Sequence, residues 1–165
     1  MSEGTNMYLK KLEIKRFRGL NQLTLNFNKG LNVLIGENNA GKSAAIDALR
    51  ICLGYGNQWK DIYISASDFY LNKTDPSMPL GDIEFHLYFE VQTPHKEGIF
   101  NDLFTVNPEG KTELQLHFSY SLYEKKGISK IRHKVWGGDN EGQVVTPEIF
   151  ELLYLVYLSP LRDAV

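Results

Sequence analysis

The stretch Gly36-Glu37-Asn38-Asn39-Ala40-Gly41-Lys42-Ser43 spells a complete Gly-x4-Gly-Lys-Ser pattern. Its two glycines let the backbone wrap closely, so that successive N–H groups converge on phosphate oxygens at a helix N-terminus. The lysine of such a loop reaches the outer phosphates, and the serine hydroxyl coordinates magnesium. Four fixed positions coincide by chance in a chain of this length on the order of once in a hundred sequences, given that Gly makes up about 7% of average composition. The flanks strengthen the match. Upstream, Leu31-Asn32-Val33-Leu34-Ile35 is a short apolar run opened by Gly30, and it predicts a buried strand. Downstream, Ile46, Leu49 and Leu53 recur at helical spacing, with Ala45, Ala48 and Cys52 widening the face and Gly54 ending it. Strand, loop and helix therefore stand in the order that a phosphate-binding loop requires. A glycine-rich turn that merely joins two elements is the plainer alternative.

Working outward, two strands are expected before the loop. Leu12, Ile14 and Arg16 alternate with polar partners until Gly19, and Leu23-Thr24-Leu25-Asn26-Phe27 alternates again before Asn28-Lys29-Gly30. Simple nucleotide kinases carry the loop after their first strand, so this order sets the chain apart from them. Beyond the helix, residues 54–79 read as ordered loop. Ile83, Phe85, Leu87, Phe89 and Val91 mark a strand with one apolar face, and Leu114, Leu116, Phe118, Tyr120 and Leu122 mark another. Lys125-Lys126-Gly127 predicts a hairpin into residues 128–136; a short helix follows Pro147, and Leu155-Val156-Tyr157-Leu158 reads as a last strand. The expectation is an α/β domain with a mixed sheet and a prominent antiparallel β portion.

Composition narrows the function classes. The chain has 165 residues, enough for one domain with a sizeable core, and 42% of them are hydrophobic. No apolar run nears the roughly 18 residues of a membrane span, and the opening residues lack the apolar core of a secretory signal. A cytoplasmic protein without a membrane partner is expected. The single cysteine, Cys52, falls on the apolar helix face and reads as packing. A net charge of -2 does not by itself advertise nucleic acid. Two basic clusters stand out, Lys10 to Arg18 and Lys125 to Lys134, ordinarily solvated edges and alternatively DNA contacts.

With these residues on the page, a family resemblance emerges. The loop form G-x-N-x-A-G-K-S, with Asn38 at its third position, follows a strand of the form L-x-I-x-x-F-R-G-L at Leu12 to Leu20. Together they resemble the N-terminal lobe of the ABC-type ATPases of the SMC, RecF and OLD (overcoming lysogenization defect) group. The closing Tyr157 to Ala164 is most similar to the OLD nucleases, which have a Y-L-x-P-L-R-D-A segment there. The resemblance implies a single N-terminal ATPase lobe over residues 1–165, part of a larger ATP-dependent, DNA-directed endonuclease that dimerises around ATP. A signature motif, a Walker B acid and a Toprim nuclease domain, which such proteins carry later, do not occur in this sequence.

Carried over by position, the resemblance assigns Gly36, Asn38, Asn39, Ala40, Gly41, Lys42 and Ser43 to ATP, with Ser43 also on magnesium, and gives Arg16 a place beside the nucleotide. No catalytic residue is assigned. Asp47, Asp61, Asp68 and Asp163 are candidate acids, but none ends a strand as a Walker B acid does, and Asp47 reads as a solvent-facing helix residue. Arg162 or Asp163 is a candidate substitute for the Q-loop glutamine of SMC-like relatives, and Trp59 to Tyr63 are candidates to approach adenine. Three alternatives stay open: an SMC/RecF-like DNA repair ATPase, a regulatory or scaffold module that nucleotide only stabilises, and a small-molecule phosphotransferase, which the long antiparallel region suits poorly.

Overall fold

The computed structural model of the chain describes residues 7–37, 41–57, 61–76, 78–92 and 98–153. Alternation in the sequence becomes one sheet. Its strands are β1 Met7–Phe17, β2 Leu20–Asn26, β3 Ile83–Val91, β4 Phe104–Val106, β5 Thr112–Lys125 and β6 Ile128–Gly137, ordered β2-β1-β3-β5-β4 with β6 also paired to β5. Two helices complete the layers, α1 Lys42–Leu53 and α2 Pro147–Leu152. The fold is α/β with a dominant antiparallel sheet, as expected; every strand pair among the described residues is antiparallel.

Register explains the core. Ile14 lies opposite Phe85, Phe85 opposite Phe118, and Phe118 opposite Val135, while Leu12, Leu87 and Leu116 form a second row. Because side chains alternate across a strand, these rows share one face, and all but Val135 are fully buried. Burying each such side chain contributes about 1.5 to 3 kcal/mol, so these rows dominate the stability of the sheet. Helix α1 joins the same core through Ala44, Ala45, Ala48, Ile51 and Cys52. Small residues let its backbone approach closely. Ile46, expected on the buried face, is instead 39% exposed, because the alanine stripe rather than the larger side chains is turned to the core.

The predicted strand at Leu31–Ile35 is not formed. Leu31 is 91% exposed and Ile35 92%, and the run holds no place in a ladder among the described residues. Asn32 supplies a physical reason. Its side chain accepts from the Asn28 N–H at 2.8 Å and donates to the Asn28 and Gly30 carbonyls at 2.8 and 3.1 Å, which offers the backbone a local turn in place of a strand. The expected last strand at 155–158, the OLD-like segment ending at Ala164, with Arg162 and Asp163, and the loop residues Asn38, Asn39 and Ala40 lie outside the described residues, as does Trp59.

Two features were not legible from pattern. A 3-10 turn at Ala66–Asp68 packs on the end of β1, with Arg18 N–H donating to the Asp68 carbonyl at 2.6 Å and Tyr70 N–H to the Arg16 carbonyl at 3.0 Å. β4 is the other, three residues long and preceded by a 3-10 turn over Gly98–Leu103.

Candidate nucleotide-binding site

Helix α1 begins directly on the loop. Gly41 is its N-cap at φ 89°, a left-handed conformation that costs an L-residue about 1 to 2 kcal/mol. Space restricts the position further. A Cβ there would lie 2.9 Å from Cδ2 of Leu20, so a side chain would also have to displace the leucine methyls at the start of β2. The Ala45 N–H makes the first helical bond, to the Gly41 carbonyl at 2.8 Å. The N–H groups of Lys42, Ser43 and Ala44 precede it and have no partner within the helix. Among the described residues no side chain caps this end, and its first turn holds no acid. Three amide donors and the positive end of the helix dipole thus face the loop, an arrangement that favours an anion.

Lys42 lies across the same loop. Its ammonium donates to the Gly36 carbonyl and, at 2.6 Å, to the Glu37 carbonyl, which holds the cation over the turn rather than out in solvent. Ser43 is exposed beside it, with its hydroxyl available to a cation. Glycine at Gly41, free amides, a lysine folded over the loop and an accessible serine are the donor set that a magnesium-bound triphosphate needs. The residues present fit that group. Asn38, Asn39 and Ala40, the rest of the cradle expected from the sequence, fall outside the described residues.

Arg16 is the next-to-last residue of β1. At φ 54° it leaves the strand direction, and its guanidinium donates to Glu84 and to the Asp82 carbonyl. It ties β1 to β3. Its neighbour Arg18, at φ 53° in the two-residue β1–β2 turn, does reach α1, donating to Asp47 at 2.5 Å and Asp68 at 2.8 Å. Arg50 extends the network to Asp47 at 3.0 Å and Asp61 at 2.6 Å. Three of the four candidate acids are therefore held in ion pairs. Asp47 is not the solvent-facing residue expected; its side chain is 19% exposed and neutralised by two arginines. Burial alone would push the Asp68 carboxyl up, but bonds from Arg18 and Ser65 outweigh it and hold the group below its ordinary value. Of these pairings only Arg50–Asp47 had a legible signal, their i,i+3 spacing on a helix.

Tyr63 lies past the far end of α1. With Tyr55, Tyr120, Ile131 and His133 it lines a cavity of about 500 Å³. A helix of 12 residues is roughly 18 Å long at 1.5 Å per residue, so that cavity is well removed from Lys42. The Tyr120 hydroxyl is buried without a hydrogen-bond partner among the described residues, and burial pushes its pKa well up.

Comparison with known proteins follows the same lines. Over 127 residues the chain is 44% identical to the DNA replication and repair protein RecF of Streptococcus suis, which covers 77% of this chain and 27% of that protein. It is 54% identical over 46 residues, 28% of this chain and 8% of the relative, to the DNA repair protein RecN of Halalkalibacterium halodurans. The chain thus spans about a quarter or less of the length of these curated relatives. Among solved structures, the Smc head domain of Pyrococcus yayanosii, with its coiled coil and joint, matches 89% of this chain and 25% of its own at a TM-score of 0.57 and 24% identity. The fold is accordingly that of an Smc head domain. A family model described as "Protein of unknown function (DUF2813)" matches residues 7–150, nearly the whole of the described chain, and the protein belongs to that family.

Proposed function

We propose that the chain is the ATP- and magnesium-binding lobe of a larger DNA-directed ATPase. One observation carries this reading: a Gly-x4-Gly-Lys-Ser loop ends on a helix whose first amides are free, with Lys42 folded across it. Gly36, Asn38, Asn39, Ala40 and Gly41 would form the backbone cradle, Lys42 would pair with the outer phosphates, and Ser43 would ligate magnesium. Bound magnesium supplies charge neutralisation at the phosphates. Arg16 would flank the nucleotide, as the family resemblance assigns.

The carboxylates beside α1 are already paired with arginines, so the site as described binds nucleotide without a free base to polarise water. Catalytic acids would come from a C-terminal part of the protein, and the signature motif from a second copy in a homodimer. Exposure of Leu31, Val33 and Ile35 beside the loop supports such completion by further chain. For the whole protein, an OLD-type endonuclease and a RecF-like repair ATPase are both compatible with this lobe, and the 44% identity to RecF favours the second as strongly as the closing segment favours the first.

Calorimetric titration of ATP with magnesium tests the reading. Wild type is expected to bind, and Lys42→Ala to weaken binding at least tenfold, since removing one charged partner of a phosphate costs about 1.5 to 3 kcal/mol. Equal affinity in the two would overturn the loop assignment. Robust ATP turnover by residues 1–165 alone would overturn the half-site reading.

A further inference from the structure

We infer that the β5–β6 ribbon is a docking element for the phosphate backbone of duplex DNA. β3 stops pairing at Ile83, opposite Tyr120, whereas β5 and β6 continue together from Ser121↔Arg132 to Lys125↔Ile128. Five residue pairs therefore project past the sheet, about 17 Å at 3.4 Å per residue. The turn is fixed by positive φ at Lys126 (55°) and Gly127 (73°), the signature of a tight two-residue hairpin that keeps the ribbon's twist.

Charge separates this ribbon from the rest of the sheet. The cations of β1, of the β1–β2 turn and of α1 beyond Lys42, which lies on loop carbonyls, are matched: Lys10 with Glu90, Lys11 with Glu13, Lys15 and Arg16 with Glu84, Arg18 with Asp47 and Asp68, Arg50 with Asp47 and Asp61. On the ribbon, Lys125, Lys126, Lys130 and Arg132 are exposed and make no ion pair among the described residues. Only Lys134 at its base is paired, with Glu141 at 3.2 Å. Lys130, Arg132 and Lys134 alternate along β6, and cross-strand register brings Lys125 to that same face, while Glu124, one position away, falls on the other. A chain with a net charge of -2 thus concentrates unmatched positive charge on one projecting element.

Shape selects the partner. A two-stranded β-ribbon has the width that the roughly 12 Å major groove of B-DNA admits, and lysines and arginines at its rim reach backbone phosphates. Single strands are instead held on exposed aromatic platforms. Tyr123, the aromatic on this face, is covered by the Arg132 guanidinium at 5.1 Å. Lysines also protect edge strands from aggregation, and β6 is an edge strand, so the test must separate the two roles.

The surface named here deepens the DNA-directed reading above, yet it lies beyond the loop-distal end of α1, where Tyr55 meets His133 at 3.1 Å. The experiment is run without nucleotide, so its failure leaves the ATP titration untouched. Fluorescence anisotropy with a labelled 20-base-pair duplex, and with one strand of it, is measured from 50 to 200 mM salt. Four phosphate contacts give a slope of about -3.6 in log affinity against log salt, roughly a hundredfold loss across that range. The quadruple variant Lys125→Gln, Lys126→Gln, Lys130→Gln, Arg132→Gln is expected to flatten that slope to near zero, and Lys111→Gln to leave it unchanged. The inference is overturned by unchanged affinity and slope in the quadruple variant, by tighter binding of the single strand, by no duplex binding at 50 mM salt, or by polyglutamate displacing the duplex at equal charge. Aggregation of the variant with duplex affinity retained would assign the lysines to edge protection and overturn it too.

Discussion

Acidifying the solution from pH 7 to pH 5 is expected to destabilise the protein through His117, by an amount the structure lets us work out. His117 is 7% exposed on β5, on the sheet face opposite the core. Its Nδ1 lies 2.8 Å from Nδ1 of His86 on β3, and its Nε2 donates to the Gly138 carbonyl at 3.1 Å, with Gln115 of β5 at 3.2 Å. The Trp136 ring of β6 covers it at 5.2 Å and Tyr88 of β3 lies at 6.0 Å. Burial, and then the neighbouring His86, lower its pKa from 6.5 to about 4; Asp139 and Glu13 oppose the shift without reversing it. The folded state therefore resists a proton that the unfolded chain accepts. Stability from this group is complete above pH 6.5 and is lost as pH falls from there through about 4. Between pH 7 and pH 5 the unfolded state gains nearly all its proton while the folded state gains little, so the loss is about 2 kcal/mol at 1.36 kcal/mol per pH unit. His86, lowered by burial although Glu84 opposes it, acts in the same direction. Urea denaturation at the two pH values measures the effect. In His117→Gln the pH-dependent loss should shrink by about 2 kcal/mol. Wild-type stability that is flat over this range, or a variant with the same loss as wild type, would refute the reasoning.

Two further substitutions probe the loop and its support. Gly41→Ala should cost about 1 to 2 kcal/mol from its φ of 89° alone. The added Cβ also meets Leu20, so Leu20→Ala in the same chain should recover the steric part but not the dihedral part; urea denaturation of both variants, with ATP titration beside it, separates the two. Arg18→Ala should destabilise by about 1 to 2 kcal/mol at pH 7, discounted for the arginine's partial exposure. Because Asp68 is held below its ordinary pKa, that cost should be present near neutrality and fade as pH falls below the ordinary value of 3.8, so the variant and wild type should converge in acid urea melts.

What the sequence revealed depended on how local its causes were. Period-two alternation named β1, β3 and β5 within a residue or two, because one face of each is buried and the pattern writes that face directly, whereas β2 was read from Leu23, three residues late, and β6 from the Lys125–Gly127 turn. The loop and α1 were legible for a similar reason, since glycine, lysine and serine at that spacing have few other uses. Leu31 to Ile35 shows the limit. Five residues with a strong strand pattern need neighbours to become a strand, and among the described residues they have Asn32 bonding back to Asn28 instead. β4 was missed because three residues are too few to show a period. The acids beside α1 were named by type but not by use, since which arginine neutralises which aspartate is set by the turn at Arg18, a position no periodicity reports.

Two arginines, Arg16 near the end of β1 and Arg18 in the turn after it, give the fold its link between sheet and site. Arg16 and Arg18 both take left-handed dihedrals, each at a cost, and both are held there by carboxylates distant in sequence. Glu84 binds the first to β3, while Asp47 and Asp68 bind the second to α1 and to the turn at Ala66–Asp68. Leu20, the residue that closes this same hairpin, is what a side chain at Gly41 would strike. The β1–β2 turn therefore fixes the start of α1 from two sides, by ion pair and by contact. A phosphate-binding loop must present its amides without rearranging, and the sheet braces the described end of this one, at Gly41 and α1. That is why the F-R-G segment and the loop, about 20 residues apart in the chain, are one structural device.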